Sequence, residues 1–179
     1  MANSASARYA QWSGLGEVLG PDAVFHANRG VAGIDGCTST AVGWAAATGK
    51  ATWLVTGDVA FHYDANALLT DPVPSDLHIV VMNNGGGGIF RWLPGTQHPD
   101  LFERHFETPP NRTVEAQARA MDATHFLASN EAELREALSN VLRTPGPTVL
   151  EVRTPSAESA AVLTDYLAAF HRESTSTFS

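Results

Sequence analysis

Three places in the sequence set polar side chains beside glycines at what read as strand ends. They are Asn28-Arg29-Gly30, Gly57-Asp58, and Asn83-Asn84 followed by Gly85 to Gly88. Open parallel sheets bind ligands at the carboxyl ends of their strands. A carboxylate at one such end and a carboxamide at its neighbour are hard oxygen donors. Mg²⁺ takes donors of this kind when phosphate oxygens and water complete its octahedron. Glycines next to Asn84 let main-chain carbonyls and amides approach a diphosphate closely. Taken singly, Gly57-Asp58 is an ordinary turn and Gly85 to Gly88 an ordinary loop. After consecutive strands, together they form one constellation.

Competing chemistries fall away. Gly43 to Lys50 resembles a phosphate-binding loop only faintly: its glycines are one residue too far apart, and Ala51 stands where Ser or Thr is required. The Gly85 to Gly88 run leads into Ile89-Phe90-Arg91-Trp92-Leu93-Pro94, not into the clean helix start of a dinucleotide site. The seven histidines include no HxxxH or HExxH spacing, and no G-x-S-x-G elbow is present. His62, near the Gly57-Asp58 pair, reads as a surface helix histidine. Cys37 is the only cysteine, which excludes a disulfide framework and a cysteine-rich zinc site and favours a cytoplasmic protein. Eleven basic against nineteen acidic side chains, net −8, argue against nucleic acid as a partner. No apolar run approaches the roughly 18 residues of a membrane span, and the opening MANSASARY has no apolar signal core.

The elements that must hold these residues can be read from apolar patterning. At 179 residues the chain is one domain, long enough to bury about 70% of its unfolded surface. Residues 4–19 read as helix and 24–28 as a short apolar segment ending at Arg29-Gly30. Residues 38–48 read as a small-residue helix closed by Gly49, and 52–56 as a buried strand. A short helix is expected over 64–69, and 77–82 is the strongest strand. Residues 91–110, rich in proline and aromatics, read as a long excursion. Helices over 113–121 and 131–142 flank a strand at 125–128; a strand at 148–152 and a helix at 157–170 follow. This alternation predicts an α/β fold: a three-layer α/β/α sandwich around a mostly parallel, doubly wound sheet. It spans residues 1–172, with a disordered tail at 173–179. No strand precedes the first helix, so the chain reads as a piece of a longer polypeptide.

The spacing of Gly57-Asp58 and Asn83-Asn84, with Asp58 and Asn84 26 positions apart, resembles the metal-binding signature of thiamine-diphosphate enzymes. In that family a GD pair, usually GDG, is followed at a similar distance by NN. Here Val59 replaces the usual glycine, which points to a branch that accepts an apolar residue there. The stretches NRGVAGIDGCTSTAVGWAAATGK and NNGGGGIFRWLP are similar to the thiamine-diphosphate-binding domain of the 2-succinyl-5-enolpyruvyl-6-hydroxy-3-cyclohexene-1-carboxylate synthases of menaquinone biosynthesis. The resemblance covers roughly residues 3–170.

It implies that Asp58, Asn84 and the carbonyl of Gly86 hold Mg²⁺ (or Mn²⁺), which clamps the diphosphate of thiamine diphosphate. Gly33 and Gly57 would contact the cofactor, and Ile34 would prop its two rings in a bent conformation. Ser4, Arg8 and Arg29 match substrate-facing positions. Ser4 and Arg8 share a face if they lie on one helix, although Arg8 alone also has a lesser reading as a solvated helix arginine. The planar fork of Arg29 suits a carboxylate. Ile89, Phe90 and Leu93 match apolar pocket residues, whereas Gly88 stands where relatives carry a polar side chain. The reaction implied is decarboxylation of 2-oxoglutarate on the cofactor and addition of the succinyl carbanion equivalent to isochorismate. The glutamate that activates the cofactor lies in a domain ahead of this one in the family, so no catalytic residue is assigned here. The resemblance further implies a homo-oligomer and the missing N-terminal domains as partners. Two other readings stay open: a cofactor-binding subunit of another 2-oxoacid decarboxylase, and a non-catalytic diphosphate-binding or oligomerisation module.

Overall fold

In a computed structural model of the chain, residues 1–30, 32–93, 101–109 and 112–176 are described. Leu77–Asn83 (β2) is a near-continuous apolar run and the first four residues of Thr148–Arg153 (β4) are buried, as befits strands covered on both faces. They form the centre of a four-stranded sheet of order β1-β2-β4-β3, in which β1 is Thr52–Gly57 and β3 is Thr124–Ala128. All three pairings are parallel.

The helices divide by crossover direction. The chain steps from β1 to β2 through Asp58–Asp64 (α4) and a 3₁₀ turn, Ala65–Leu69, and from β2 to β3 through Val114–Ala120 (α5). It then reverses, returning to β4 through Glu131–Val141 (α6). Right-handed crossovers place helices on opposite faces when the direction reverses. One core accordingly joins Leu54, Ile79, Val81 and Val149 to Phe61, Leu68, Val114 and Ala118. The other joins Leu150 and Ala128 to Ala137 and Val141 of α6. The expected three-layer α/β/α architecture is what forms. Cys37–Thr48 (α3) lies on the first face; its small residues allow close packing, and Gly49, with φ +62°, closes it by donating its N–H to Ala45 O at 2.9 Å.

Several boundaries differ from the sequence reading. Residues 24–28 form no strand. Residues 1–3 lie between them and β1, with Ala2 N–H donating to Val55 O at 2.8 Å and Asn28 N–H to Met1 O at 3.4 Å. Residues 4–19 form two helices, Ala5–Trp12 (α1) and Leu15–Leu19 (α2), because Gly14, in the left-handed region at φ +64°, breaks the run. Helix α4 begins at Asp58 itself, six residues before the expected helix start. The 91–110 excursion holds a 3₁₀ turn, Gly88–Arg91, at its start and a π-helical turn, Phe102–Glu107; residues 94–100 and 110–111 lie outside the described residues. The last helix, Ser156–Ser176 (α7), runs past Glu173, where the sequence reading starts a disordered tail; residues 177–179 lie outside the described residues.

Phe61 ties this architecture to the site. It is fully buried and one turn along the helix that Asp58 begins. Phe61→Ala is expected to cost about 3–5 kcal/mol, the range for emptying a buried aromatic position, as measured by denaturant unfolding monitored by circular dichroism.

Candidate functional site

Parallel register brings the distant polar residues together. Gly57 pairs with Met82, so Asp58 and Asn83 leave the sheet side by side at the carboxyl ends of β1 and β2. A cavity of about 690 Å³ opens above these ends. Gly57, Asp58, Asn84 and Gly86 line its floor, and Ile89, Phe90 and Leu93 line a wall. Ser4, Arg8, Arg29 and Ile34 line it as well. Of the residues that the family resemblance assigns to the site, Gly33 alone is not among the lining residues. It sits nearby, its carbonyl accepting from Asn3 Nδ2 at 2.8 Å.

Asp58 is 2% exposed, and its Oδ2 is buried with no hydrogen-bond partner. Burial pushes its carboxyl up from an ordinary 3.8 to about 6, although the amides of Val59, Asp58 itself and Gly86, and the nearby His62, pull the other way. An anionic oxygen left bare at the edge of a cavity fits a bound cation, because a buried polar atom without a partner is costly. The carboxamide of half-buried Asn84 and the carbonyls of the glycine loop supply the neutral oxygens that a hard cation accepts beside it. His62 departs from the surface reading: it is half-buried and its Nδ1 meets Gln117 Oε1 on α5.

The glycine loop is held at several points. Asn83 Oδ1 accepts from Gly85 N–H at 3.0 Å, and Asn83 Nδ2 donates to Glu151 Oε1 at 2.8 Å. Glu151 is fully buried within β4. Burial alone would raise its carboxyl, but hydrogen bonds from Arg153, Asn83 and His125 outweigh that and hold it below the usual range. Gly86 has φ +140°, a conformation that L side chains rarely adopt, and a Cβ there would run into the Glu107 carbonyl. Gly88 packs against the Asn84 carboxamide, which occupies the space a side chain at position 88 would need.

Among the amino-terminal residues lining the cavity, the guanidinium of Arg8 donates to the Ser4 carbonyl at 3.0 Å, and Arg29 Nη1 to Asn3 Oδ1 at 3.3 Å. Ser4 caps α1 rather than lying within it, so the pair meets through a main-chain oxygen, not across a helix face. Sequence reasoning missed Tyr9, Tyr63, His105 and Thr108, which also line the cavity, and the Glu107–Arg91 ion pair at 2.6 Å. An isolated glutamate in an aperiodic stretch carries no sequence signal. Ile34, Ile89, Phe90 and Leu93 are half-buried against the cavity. The exposed large apolar side chains near the amino terminus are Tyr9, Trp12, Val18, Leu19, Val24 and Phe25.

Residues 12–152 match the thiamine pyrophosphate enzyme family, C-terminal TPP-binding domain. A 2-succinyl-5-enolpyruvyl-6-hydroxy-3-cyclohexene-1-carboxylate synthase of Flavobacterium johnsoniae is 42% identical over 167 residues, 93% of this chain and 29% of that protein. The protein of that name from Porphyromonas gingivalis is 38% identical over 174 residues, 97% of this chain and 30% of its own length. The one from Christiangramia forsetii is 36% identical over 165 residues. The chain thus spans about three tenths of the length of the curated relatives it matches.

A carboxyl raised on folding makes stability fall with pH. Below about pH 4 Asp58 is protonated in folded and unfolded chain alike; between its ordinary 3.8 and about 6 only the folded form holds the proton. In divalent-free buffer the chain is therefore expected to lose about 3 kcal/mol between pH 4 and pH 7 through this group. Asp58→Asn removes that loss and is expected to be the more stable chain above pH 6, as read by urea midpoints across the pH series.

Proposed function

The chain belongs to the thiamine pyrophosphate enzymes, as their C-terminal TPP-binding domain, and on that premise we propose that it is the cofactor-holding part of a 2-succinyl-5-enolpyruvyl-6-hydroxy-3-cyclohexene-1-carboxylate synthase. In this reading the parent enzyme decarboxylates 2-oxoglutarate and transfers the remaining succinyl unit to isochorismate. One observation carries the reading furthest: a single cavity gathers oxygen donors for a metal-bound diphosphate and two arginines for carboxylate substrates.

Each residue has a role in that cavity. Asp58 and Asn84, with the Gly86 carbonyl, would hold Mg²⁺ or Mn²⁺, which would neutralise the diphosphate, the anionic Asp58 contributing most to binding a hard cation. Gly57 and Gly33 would let the chain pass close to the cofactor, and Ile34 would supply an apolar contact to its rings. Thiamine diphosphate, when bound, supplies the electron sink that makes loss of CO₂ feasible. Arg8 and Arg29 neutralise and orient the substrate carboxylates, and Ser4 fixes Arg8 through its carbonyl. Ile89, Phe90 and Leu93 exclude water from the reacting end, which strengthens every charge interaction there.

Among the described lining residues Asp58 is the only carboxylate, and the metal takes it. By family resemblance, the acid that activates the cofactor is a glutamate carried by another domain, in the reading proposed from a neighbouring subunit of a cytoplasmic homo-oligomer. Among the described residues no helix is long and apolar enough to cross a membrane.

Three outcomes are expected. The purified 179-residue chain is silent in a carboligation assay with 2-oxoglutarate and isochorismate, whereas a version extended upstream by the remaining domains turns over; turnover by the chain alone would contradict the proposal. In the extended enzyme, Asp58→Ala abolishes Mg²⁺-dependent thiamine diphosphate binding by calorimetry and Asn84→Ala weakens it less, since only a neutral ligand is lost. Arg29→Lys keeps the charge and loses the planar fork. It is expected to lower kcat/KM for a carboxylate substrate on the order of tenfold with cofactor affinity unchanged.

A further inference from the structure

The Gly85 to Gly88 loop is gripped from outside the sheet by a segment that sequence reading leaves as loop. Gly87 N–H donates to the main-chain carbonyl of Glu107 at 2.6 Å. A peptide unit is planar and trans, so the N–H of Gly87 and the C=O of Gly86 point in opposite directions from one rigid plane. Whatever fixes the first aims the second, whose oxygen also accepts from Gly88 N–H at 2.9 Å and keeps one lone pair for a further partner. On the far side of Gly86, its own amide faces the Asp58 carboxylate. The loop is thereby held between Asp58 and Glu107.

Glu107 is itself immobilised. Its carboxylate accepts from Arg91 Nε and Nη2, both at 2.6 Å, and from Ser156 Oγ at 2.7 Å. Arg91 Nε also donates to Ser156 Oγ at 2.7 Å, and its guanidinium lies 5.2 Å from the Phe102 ring centroid. The Glu107 side chain is only 7% exposed. Burial alone would raise its carboxyl, but the Arg91 and Ser156 hydrogen bonds hold it below its usual range. A bidentate, largely buried arginine–carboxylate pair has one good geometry, so this cluster fixes the start of α7, the Gly88–Arg91 turn and the 102–107 turn relative to one another. There is no slack at the contact: a Cβ on Gly87 would stand 2.8 Å from the Phe106 carbonyl.

We propose that Glu107 is a positioning residue for the metal site: anchored by Arg91 and Ser156, it holds the Gly86–Gly87 peptide so that the Gly86 carbonyl is presented to a divalent cation beside Asp58. This rests on the reading of Asp58, Asn84 and Gly86 as the metal ligands. Groups that orient a metal ligand commonly carry a tenfold or larger share of affinity. The cluster also makes the last helix part of the site, since Ser156 is its first residue.

The test uses Mn²⁺ as the probe, with thiamine diphosphate present, on the 179-residue chain. Paramagnetic broadening of the amide signals of residues 84–88 reads millimolar as well as micromolar binding. Glu107→Gln is expected to weaken Mn²⁺ on the order of tenfold, and Ser156→Ala, the milder change and the one to use if Glu107→Gln does not fold, about threefold. Arg91→Lys added to Glu107→Gln should weaken it no further, because both act through one contact. Val141→Ala, buried in the α6 core, should lower the melting temperature and leave Mn²⁺ affinity unmoved, as Glu107→Gln would if Glu107 were merely structural. Wild-type affinity in folded Glu107→Gln or Ser156→Ala would overturn the inference while leaving the metal ligands standing. Absence of broadening at residues 84–88 in the wild-type chain would overturn the reading of the ligands, and this inference with it.

Discussion

Asp58 Oδ2 lies buried without a hydrogen-bond partner, at the end of a strand whose parallel neighbour ends beside it. Leaving a carboxylate oxygen bare in this way costs free energy, and the chain spends much of its structure keeping it there. The helix that Asp58 begins is anchored by Phe61 at the bottom of the larger core. Its next turn carries His62, which meets Gln117 of α5. The Asp58 position is thus fixed by the sheet register on one side and by two packed helices on the other, and a cation is the partner its geometry invites.

The glycine loop facing it gains rigidity from its surroundings rather than from its own residues. Four successive glycines have the highest conformational entropy to lose of any such run. Two buried carboxylates restrain them from opposite sides: Glu151 through the Asn83 side chain, and Glu107 through its own carbonyl. Each carboxylate is paired with an arginine and with further donors. Removing one partner from such a pair costs more than the pair contributes by itself, because the other charge stays buried. These pairs give the loop a single shape rather than raw stability.

Period and register made part of this legible in advance. Strand β2 is an apolar run, and Asp58 and Asn84 stand out because they directly follow β1 and β2. The fold class and the family follow from those motifs. Segment 24–28 is apolar enough for a strand, yet residues 1–3 take the place beside β1, a competition that local pattern cannot register. The start of α4 was hidden because Gly57-Asp58 reads as a turn, when it is also a helix beginning. Glu107, Arg91 and Ser156 belong to three elements far apart in sequence and meet only in the folded chain. No spacing rule connects them.

The claim on which everything else rests is that Asp58, Asn84 and Gly86 surround one divalent cation at the mouth of β1 and β2. The most direct measurement is a crystal structure of the chain grown with Mn²⁺ and thiamine diphosphate, with the metal located by its anomalous scattering. The account predicts one peak about 2.1 Å from Asp58 Oδ2, the Asn84 side-chain oxygen and the Gly86 carbonyl, with diphosphate oxygens completing the shell. A peak elsewhere, or Asp58 Oδ2 bonded to a protein donor with the diphosphate bound without metal, would contradict it.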